Sequence, residues 1–214
     1  MRDIPVFDTQ WGVGSLVLNQ IPYTATAYIR IQFTQNGKDF LQECISFCRA
    51  CGAEVIYATG DPVCADYPWH TDILKMQIAA ESIPACDALL FPVTEATAKK
   101  WQSIYNDKVR FVPNGAWLTE KALEEMLSKG DGYFIHKDGM LLGIGRAGGD
   151  RIDWVASVYP RAGKTVVQAL TSLLNCETVC IEVASANTKA MHLYESMGFL
   201  PSQIISRWYK VYEK

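Results

Sequence analysis

Apolar and polar positions alternate along the chain in a way that predicts short strands and amphipathic helices. Val6 to Trp11 and Ser15 to Asn19 read as short strands separated by Gly12-Val13-Gly14, which carries a turn signal. Ala27 to Phe33 alternates and is rich in β-branched and aromatic residues, which predicts a strand. From Lys38 to Cys51, Phe40, Leu41, Cys44, Ile45 and Cys48 recur at helical spacing, and Gly52 supplies the stop. Val55 to Ala58 predicts a second strand, ended by Thr59-Gly60-Asp61-Pro62. After the turn-like Pro68-Trp69-His70, the spacing predicts a helix over Thr71 to Ala80. It ends by Ser82 because Pro84 biases Ile83 away from helical geometry. His70 reads as a packing or loop residue.

The second half is more clearly punctuated. Ala88 to Phe91 predicts a strand, and Thr94 caps a helix from Glu95 to about Asn106. Pro113-Asn114-Gly115 is a turn, and Thr119 caps a helix that stops at Gly130. Tyr133 to His136, Lys137-Asp138-Gly139 and Met140 to Arg146 form a predicted hairpin. Ile152 to Val158 and Val179 to Ala184 are strands joined through a helix carrying Val166, Val167, Leu170, Leu173 and Leu174. Asn187 to Met197 is a helix stopped by Gly198, and Ile204 to Tyr212 is the last strand. The order from Ala88 is therefore β-α-α-β-β-β-α-β-α-β. It predicts a mixed α/β layer structure, its mainly antiparallel sheet holding one parallel strand pair flanked by helices. The division falls near Cys86, giving an N-terminal α/β region over 1–85 and a second domain over 86–214. A strand-helix-strand echo over Ala27 to Ala58 marks the first region as a candidate degenerate copy of the second unit.

Composition narrows the function classes. Hydrophobic residues make up 49% and charged residues 20%, ordinary values for a globular protein of 214 residues. A formal net charge of -3 argues against a general nucleic-acid binder. No run approaches the roughly 18 apolar residues of a membrane span, and Met1-Arg2-Asp3-Ile4-Pro5 carries no secretory pattern. Seven cysteines without an export signal predict reduced thiols and a cytoplasmic setting. Cys44, Cys48 and Cys51 share a helix face as small core residues, and no second ligand pair accompanies Cys48-x-x-Cys51 to suggest zinc.

The chemistry concentrates near the C-terminus. In Val183 to Phe199, Asn187 stands at a strand-to-helix junction, Ala190 follows three residues on, Tyr194 four further, and Gly198-Phe199 closes the helix. This run resembles a signature of the GNAT (GCN5-related N-acetyltransferase) superfamily, and the order of elements from about Ala88 to Lys214 agrees with it. Residues 1–85 lie outside the resemblance. Asn187 can cap its helix, and Tyr194, two turns later, shares its face. A phenol with an ordinary pKa near 10 is protonated at neutral pH and can serve as a general acid.

The resemblance further implies a pyrophosphate-binding loop after the central strand, where backbone N–H groups and a helix dipole hold the phosphates of acetyl-CoA. That stretch is Val158-Tyr159-Pro160-Arg161-Ala162-Gly163-Lys164-Thr165-Val166-Val167. Val158-x-Pro160 and Gly163 fit the family pattern, while Ala162 takes the Arg/Gln position and Thr165 and Val167 replace later glycines. Arg161 and Lys164 supply compensating charge. A nucleotide P-loop is the competing reading of Gly163-Lys164-Thr165, but Val158 stands where its first glycine belongs.

What the resemblance implies is direct acetyl transfer from acetyl-CoA, as co-substrate, to a primary amine of a small molecule or peptide. Ser157, Val158, Arg161, Gly163, Lys164, Thr165, Val166, Asn187, Ala190 and Tyr194 form the expected cofactor site, with Tyr194 as the acid. Asp153 and Glu182 are candidate bases. The rival class is a non-catalytic ligand-binding or interaction protein that keeps the fold. No metal, nucleic acid or membrane enters the expected chemistry.

Overall fold

A computed structural model describes residues 5–214. The Met1–Ile4 part of the leader reading lies outside the described residues. The chain forms β1 (Val6–Thr9), β2 (Gly12–Val17), α1 (Ile21–Thr24), β3 (Thr26–Thr34), α2 (Gly37–Ala50), β4 (Val55–Thr59) and β5 (Trp69–Ala79). It continues through β6 (Leu89–Pro92), α3 (Glu95–Val109), α4 (Glu120–Lys129), β7 (Gly132–Lys137), β8 (Met140–Gly148) and β9 (Arg151–Ser157). It ends with α5 (Gly163–Thr171), β10 (Thr178–Ala184), α6 (Thr188–Met197) and β11 (Leu200–Glu213). From β6 onward this is the expected β-α-α-β-β-β-α-β-α-β order. No helix among the described residues is long and apolar enough to cross a membrane.

Two compact units emerge: Met1–Ile73 with Ile204–Lys214, and Leu74–Gln203. The division therefore falls at Ile73/Leu74 and not at 85/86, and the last strand returns to the first unit from Ile204 onward. The difference traces to β5. Its sequence reads as a helix over Thr71 to Ala80, but the chain is extended from Trp69 to Ala79. Met76 and Ile78 are buried while Gln77 and Ala79 are exposed, a period of two that the adjacent pair Ile73-Leu74 disguises.

In the N-terminal unit the strand order is β1-β2-β3-β4-β11. β1–β2 and β2–β3 are antiparallel, and β3–β4 is parallel with α2 as the crossover. The core packs Leu16, Ile29, Phe40, Leu41, Cys44, Cys48 and Ile56 between this sheet and α2. Gly12 and Gly14 lie inside β2 and not in a turn: a Cβ at either would stand within 3.0–3.2 Å of the Phe40 ring. The glycines let the α2 phenylalanine reach the sheet.

The C-terminal unit has the order β5-β10-β9-β8-β7-β6. β6–β7, β7–β8 and β8–β9 are antiparallel, and β9–β10 is parallel with α5 as the crossover. Asp138 and Gly139, both at positive φ, make the tight β7–β8 turn. α5 buries Val166, Val167 and Leu170 against β8, where Gly143 and Gly145 leave room: added Cβ atoms would meet Val166 Cγ2 at 2.7 Å and Leu170 Cδ1 at 2.3 Å. α3 and α4 enclose a second cluster with Trp101, Leu118, Met126, Phe134, Ile144 and Ala156. The two units repeat one topology, strand-strand-strand-helix-strand, with the parallel pair at its end.

Candidate active site

The site begins with a fork in the C-terminal sheet. β9 and β10 pair through Arg151↔Cys180 and Ile152↔Ile181, and no further rung joins them among the described residues, although both strands continue. The register of β9 against β8 explains the parting. Arg146 pairs with Trp154 and Ala147 with Ile152, so Asp153 is an extra residue on β9. A bulge of this kind bends its strand and increases the local twist. It falls where the pairing with β10 stops. A cavity of about 50 Å³ sits at the crotch, with Lys75, Arg151, Asp153, Cys180 and Glu182 among its lining.

Downstream of the fork, the Val158 and Tyr159 N–H groups both donate to the Leu142 carbonyl, at 2.9 and 3.1 Å. Successive N–H groups of a strand point to opposite edges, so the Ser157 N–H faces the β10 side, into the gap. Val158 is thus spent on β8, leaving Ser157 as the residue with an outward donor. Arg161 then adopts φ 63°, an unfavourable region for a non-glycine residue, as the chain turns into α5.

The N-terminus of α5 is open. Its N-cap, Ala162, has no side-chain cap, and the first turn carries no acid. The Val166 N–H bonds to the Ala162 carbonyl, which leaves the Gly163, Lys164 and Thr165 N–H groups without intrahelical partners. Three free donors at a helix dipole's positive end form an anion cradle, with exposed Arg161 beside it. Gly163 also answers to packing: a Cβ there would lie 2.9 Å from Leu193 Cδ2. Lys164 Nζ instead donates to the Ser196 carbonyl at 3.4 Å, which ties its charge to α6. Val166 is fully buried, so neither its side chain nor its N–H reaches the cradle.

Asn187 caps α6, its Oδ1 accepting from the Ala190 N–H at 3.3 Å. Ala190 packs against the core and its N–H is committed to that cap. Gly198, at φ 94°, closes the helix, and the Phe199 N–H donates to the Tyr194 carbonyl at 3.0 Å. These signature positions build the helix that carries Tyr194. Tyr194 is 6% exposed, and its ring lies 5.8 Å from the Phe199 ring between centroids. Burial pushes its phenol well above the usual tyrosine range, which keeps it protonated at neutral pH. Tyr105 is raised by burial in the same way inside the α3 cluster, so the shift alone does not mark a site.

Both candidate bases flank the fork. Asp153 lies 3.8 Å from Arg146 Nε, and Glu182 lies 3.6 Å from Arg151. Arg146 was not picked out from the sequence. It is 8% exposed, pairs with Asp131 at 2.8 Å, and rests 4.7 Å above the Trp154 ring. Nothing in the local sequence signals this arrangement, because the bulge that brings Asp153 to Arg146 contains no glycine or proline.

The corresponding features of the N-terminal unit differ. β3 and β4 pair over five consecutive positions from Thr26↔Val55 to Arg30↔Thr59, with no fork. The crossover helix α2 is capped by Asn36, carries Asp39 in its first turn, and has Asp61 against Gly37. That end repels anions.

No family model matches the sequence, and no curated protein does. Solved structures do match. A functionally unknown conserved protein from Staphylococcus epidermidis superposes with a TM-score of 0.64 at 12% identity, covering 98% of this chain and 94% of that one. A putative acetyltransferase from Pyrococcus horikoshii gives 0.61 at 11% identity over 95% and 70%. A tandem GNAT protein from the clavulanic acid biosynthesis pathway gives 0.52 at 13% identity over 94% and 78%. With the forked parallel pair and the order of its elements, the chain has the fold of the GNAT acetyltransferases.

Proposed function

We propose that the chain is an N-acetyltransferase that moves the acetyl group of acetyl-CoA to a primary amine, with the C-terminal unit as its working half. The observation that carries this reading is the fork at Asp153, which opens beside the Ser157 N–H and leads to the uncapped N-terminus of α5. The Gly163, Lys164 and Thr165 N–H groups fit the cofactor's pyrophosphate, and Arg161 adds charge. Acetyl-CoA supplies a thioester carbonyl activated toward amines.

The chain's residues orient that carbonyl and manage protons. The Ser157 N–H donates to the carbonyl oxygen as it gains negative charge. The amine nitrogen bonds to the carbonyl carbon, and the C–S bond breaks. Tyr194 Oη delivers its proton to the departing sulfur. Asp153 or Glu182 receives the proton lost by the amine, and proton return to Tyr194 resets the site. Holding both substrates in the gap supplies much of the rate. The acceptor is a small-molecule or peptide amine.

A non-catalytic binding protein of the same fold is the second reading. It is favoured by the commitments of the Asn187, Ala190 and Lys164 polar groups inside the protein. Calorimetry with acetyl-CoA, followed by thiol release in the presence of a panel of polyamines, aminoglycosides, amino acids and peptide N-termini, separates the two. Binding with amine-dependent CoA release supports the transferase. Absence of heat at millimolar acetyl-CoA removes it.

A further inference from the structure

We propose that the cavity at the crotch of the fork binds a carboxylate, so that the acceptor is an amine carrying a carboxylate of its own; the amine's place there rests on the transfer reading. Met76 of β5, Ile152 of β9 and Ile181 of β10 belong to the core under α5. Their chain neighbours Lys75, Arg151, Cys180 and Glu182 therefore share the opposite face of the sheet. With Asp153 they line the cavity. Cys180 stands in register with Arg151, and its small side chain leaves space among the longer ones. The volume of about 50 Å³ has room for roughly three to five non-hydrogen atoms, at about 10–15 Å³ for each water-sized group. That accommodates a carboxylate with one or two carbons, and not a whole polyamine or aminoglycoside.

The charges set the ligand's sign. Arg151 Nη1 lies 3.6 Å from Glu182 Oε1, and Arg146 Nε lies 3.8 Å from Asp153 Oδ2. Both acids of the lining thus already face a guanidinium. The Lys75 ammonium, on a half-buried residue, has no ion-pair or hydrogen-bond partner among the described residues. One cation left over calls for one negative charge, and a carboxylate supplies it with two acceptor oxygens. A phosphate dianion would bring a second charge against Asp153 and Glu182. β5 and β9 flank β10, so Lys75 and Asp153 start roughly 10 Å apart across the sheet, and both reach the one cavity. A short amino acid spans what remains between them. With its carboxylate on Lys75, its amine faces Asp153 and the fork. All of these residues lie in the C-terminal unit.

The test reads binding and transfer separately. The isotope-labelled full chain is titrated by NMR at neutral pH with glycine, β-alanine and 4-aminobutyrate. The tightest of them is then compared with its own amide, which keeps the amine and removes the negative charge. The acid is expected to shift the backbone resonances of Asp153, Cys180 and Glu182 and to bind at least about tenfold more tightly than the amide. Lys75→Gln is expected to abolish that preference and Lys75→Arg to keep it, with thermal melts confirming that both variants fold. With acetyl-CoA as donor, the KM of the acid in CoA release should lie at least about tenfold below that of its amide. Preferential binding of the acid without CoA release would support the carboxylate site and overturn the transfer reading. CoA release with acid and amide bound alike would overturn this proposal alone. No binding by any of the acids, an unchanged preference in folded Lys75→Gln, or displacement of the acid by equimolar inorganic phosphate would overturn it as well.

Discussion

Ile152 and Ile181 form the last rung between β9 and β10, one residue before the bulge at Asp153. Their counterparts in the N-terminal unit are joined for five consecutive rungs. A ligand that wedges between parallel strands therefore has one gap to enter. The helix ends agree, since α5 offers uncapped N–H groups while α2 is capped and acidic. The expected stoichiometry is one acetyl-CoA per chain by calorimetry. Thr165→Glu, which places a carboxylate in the first turn of α5, should weaken that binding at least about tenfold through repulsion of the phosphates. Two molecules per chain, or unchanged affinity in the variant, would contradict this assignment.

Tyr194 tests the chemistry separately from binding. Tyr194→Phe removes one oxygen from a buried ring and leaves the packing against Phe199 in place. Turnover should fall by about 10²-fold or more with acetyl-CoA affinity little changed, as expected for a lost general acid. The alkaline stability profile should change as well. The folded-state pKa is raised above the unfolded value near 10, so the neutral phenol's contribution is fully present below about pH 10 and is lost as pH rises further. Tyr105 contributes with the same sign. Thermal melts from pH 9 to 11 should fall less steeply in Tyr194→Phe and in Tyr105→Phe than in the parent.

Particular residues show what the sequence could convey. Thr119 before α4, Gly130 after it, Asp138-Gly139 in the hairpin and Asn187 and Gly198 around α6 all act through local backbone chemistry, so each was legible. The tertiary features were not. β5 reads as helix because Ile73, Leu74, Met76 and Ile78 suit both periods over a short window, and neighbouring strands decide the outcome. The fork depends on an extra residue in β9 whose identity, aspartate, signals no bulge. Of the motif residues Asn187, Ala190 and Tyr194, the first two act by capping the helix that carries the third. Ser157 and Val158 could not be separated without knowing which N–H faces β8.

Arg146 supports the fork from behind. It is buried between Asp131 and Asp153 with Trp154 beneath it. Removing one partner of a buried ion pair leaves the other charge uncompensated, which typically costs about 3–5 kcal/mol. Arg146→Met should therefore lower stability by about that amount in denaturant titration. The double variant Arg146→Met with Asp131→Asn should recover part of the loss, because the stranded charge is gone. A single variant as stable as the parent would show that the pair contributes nothing to folding.

The cysteines offer a chemical readout of the N-terminal core. Cys44 and Cys48 are fully buried on the inner face of α2, and burial pushes both thiols up to about 12. Cys64 is also buried, and its thiol rises to about 11. Thiolate is the reactive form, so these three should resist Ellman's reagent at pH 8 in the folded protein. Cys51, exposed at the C-terminal end of the same helix, should be modified first. Peptide mapping after brief labelling should find Cys51 derivatised and Cys44 and Cys48 protected until denaturant is added. Early labelling of Cys48 would mean that α2 opens readily from the sheet.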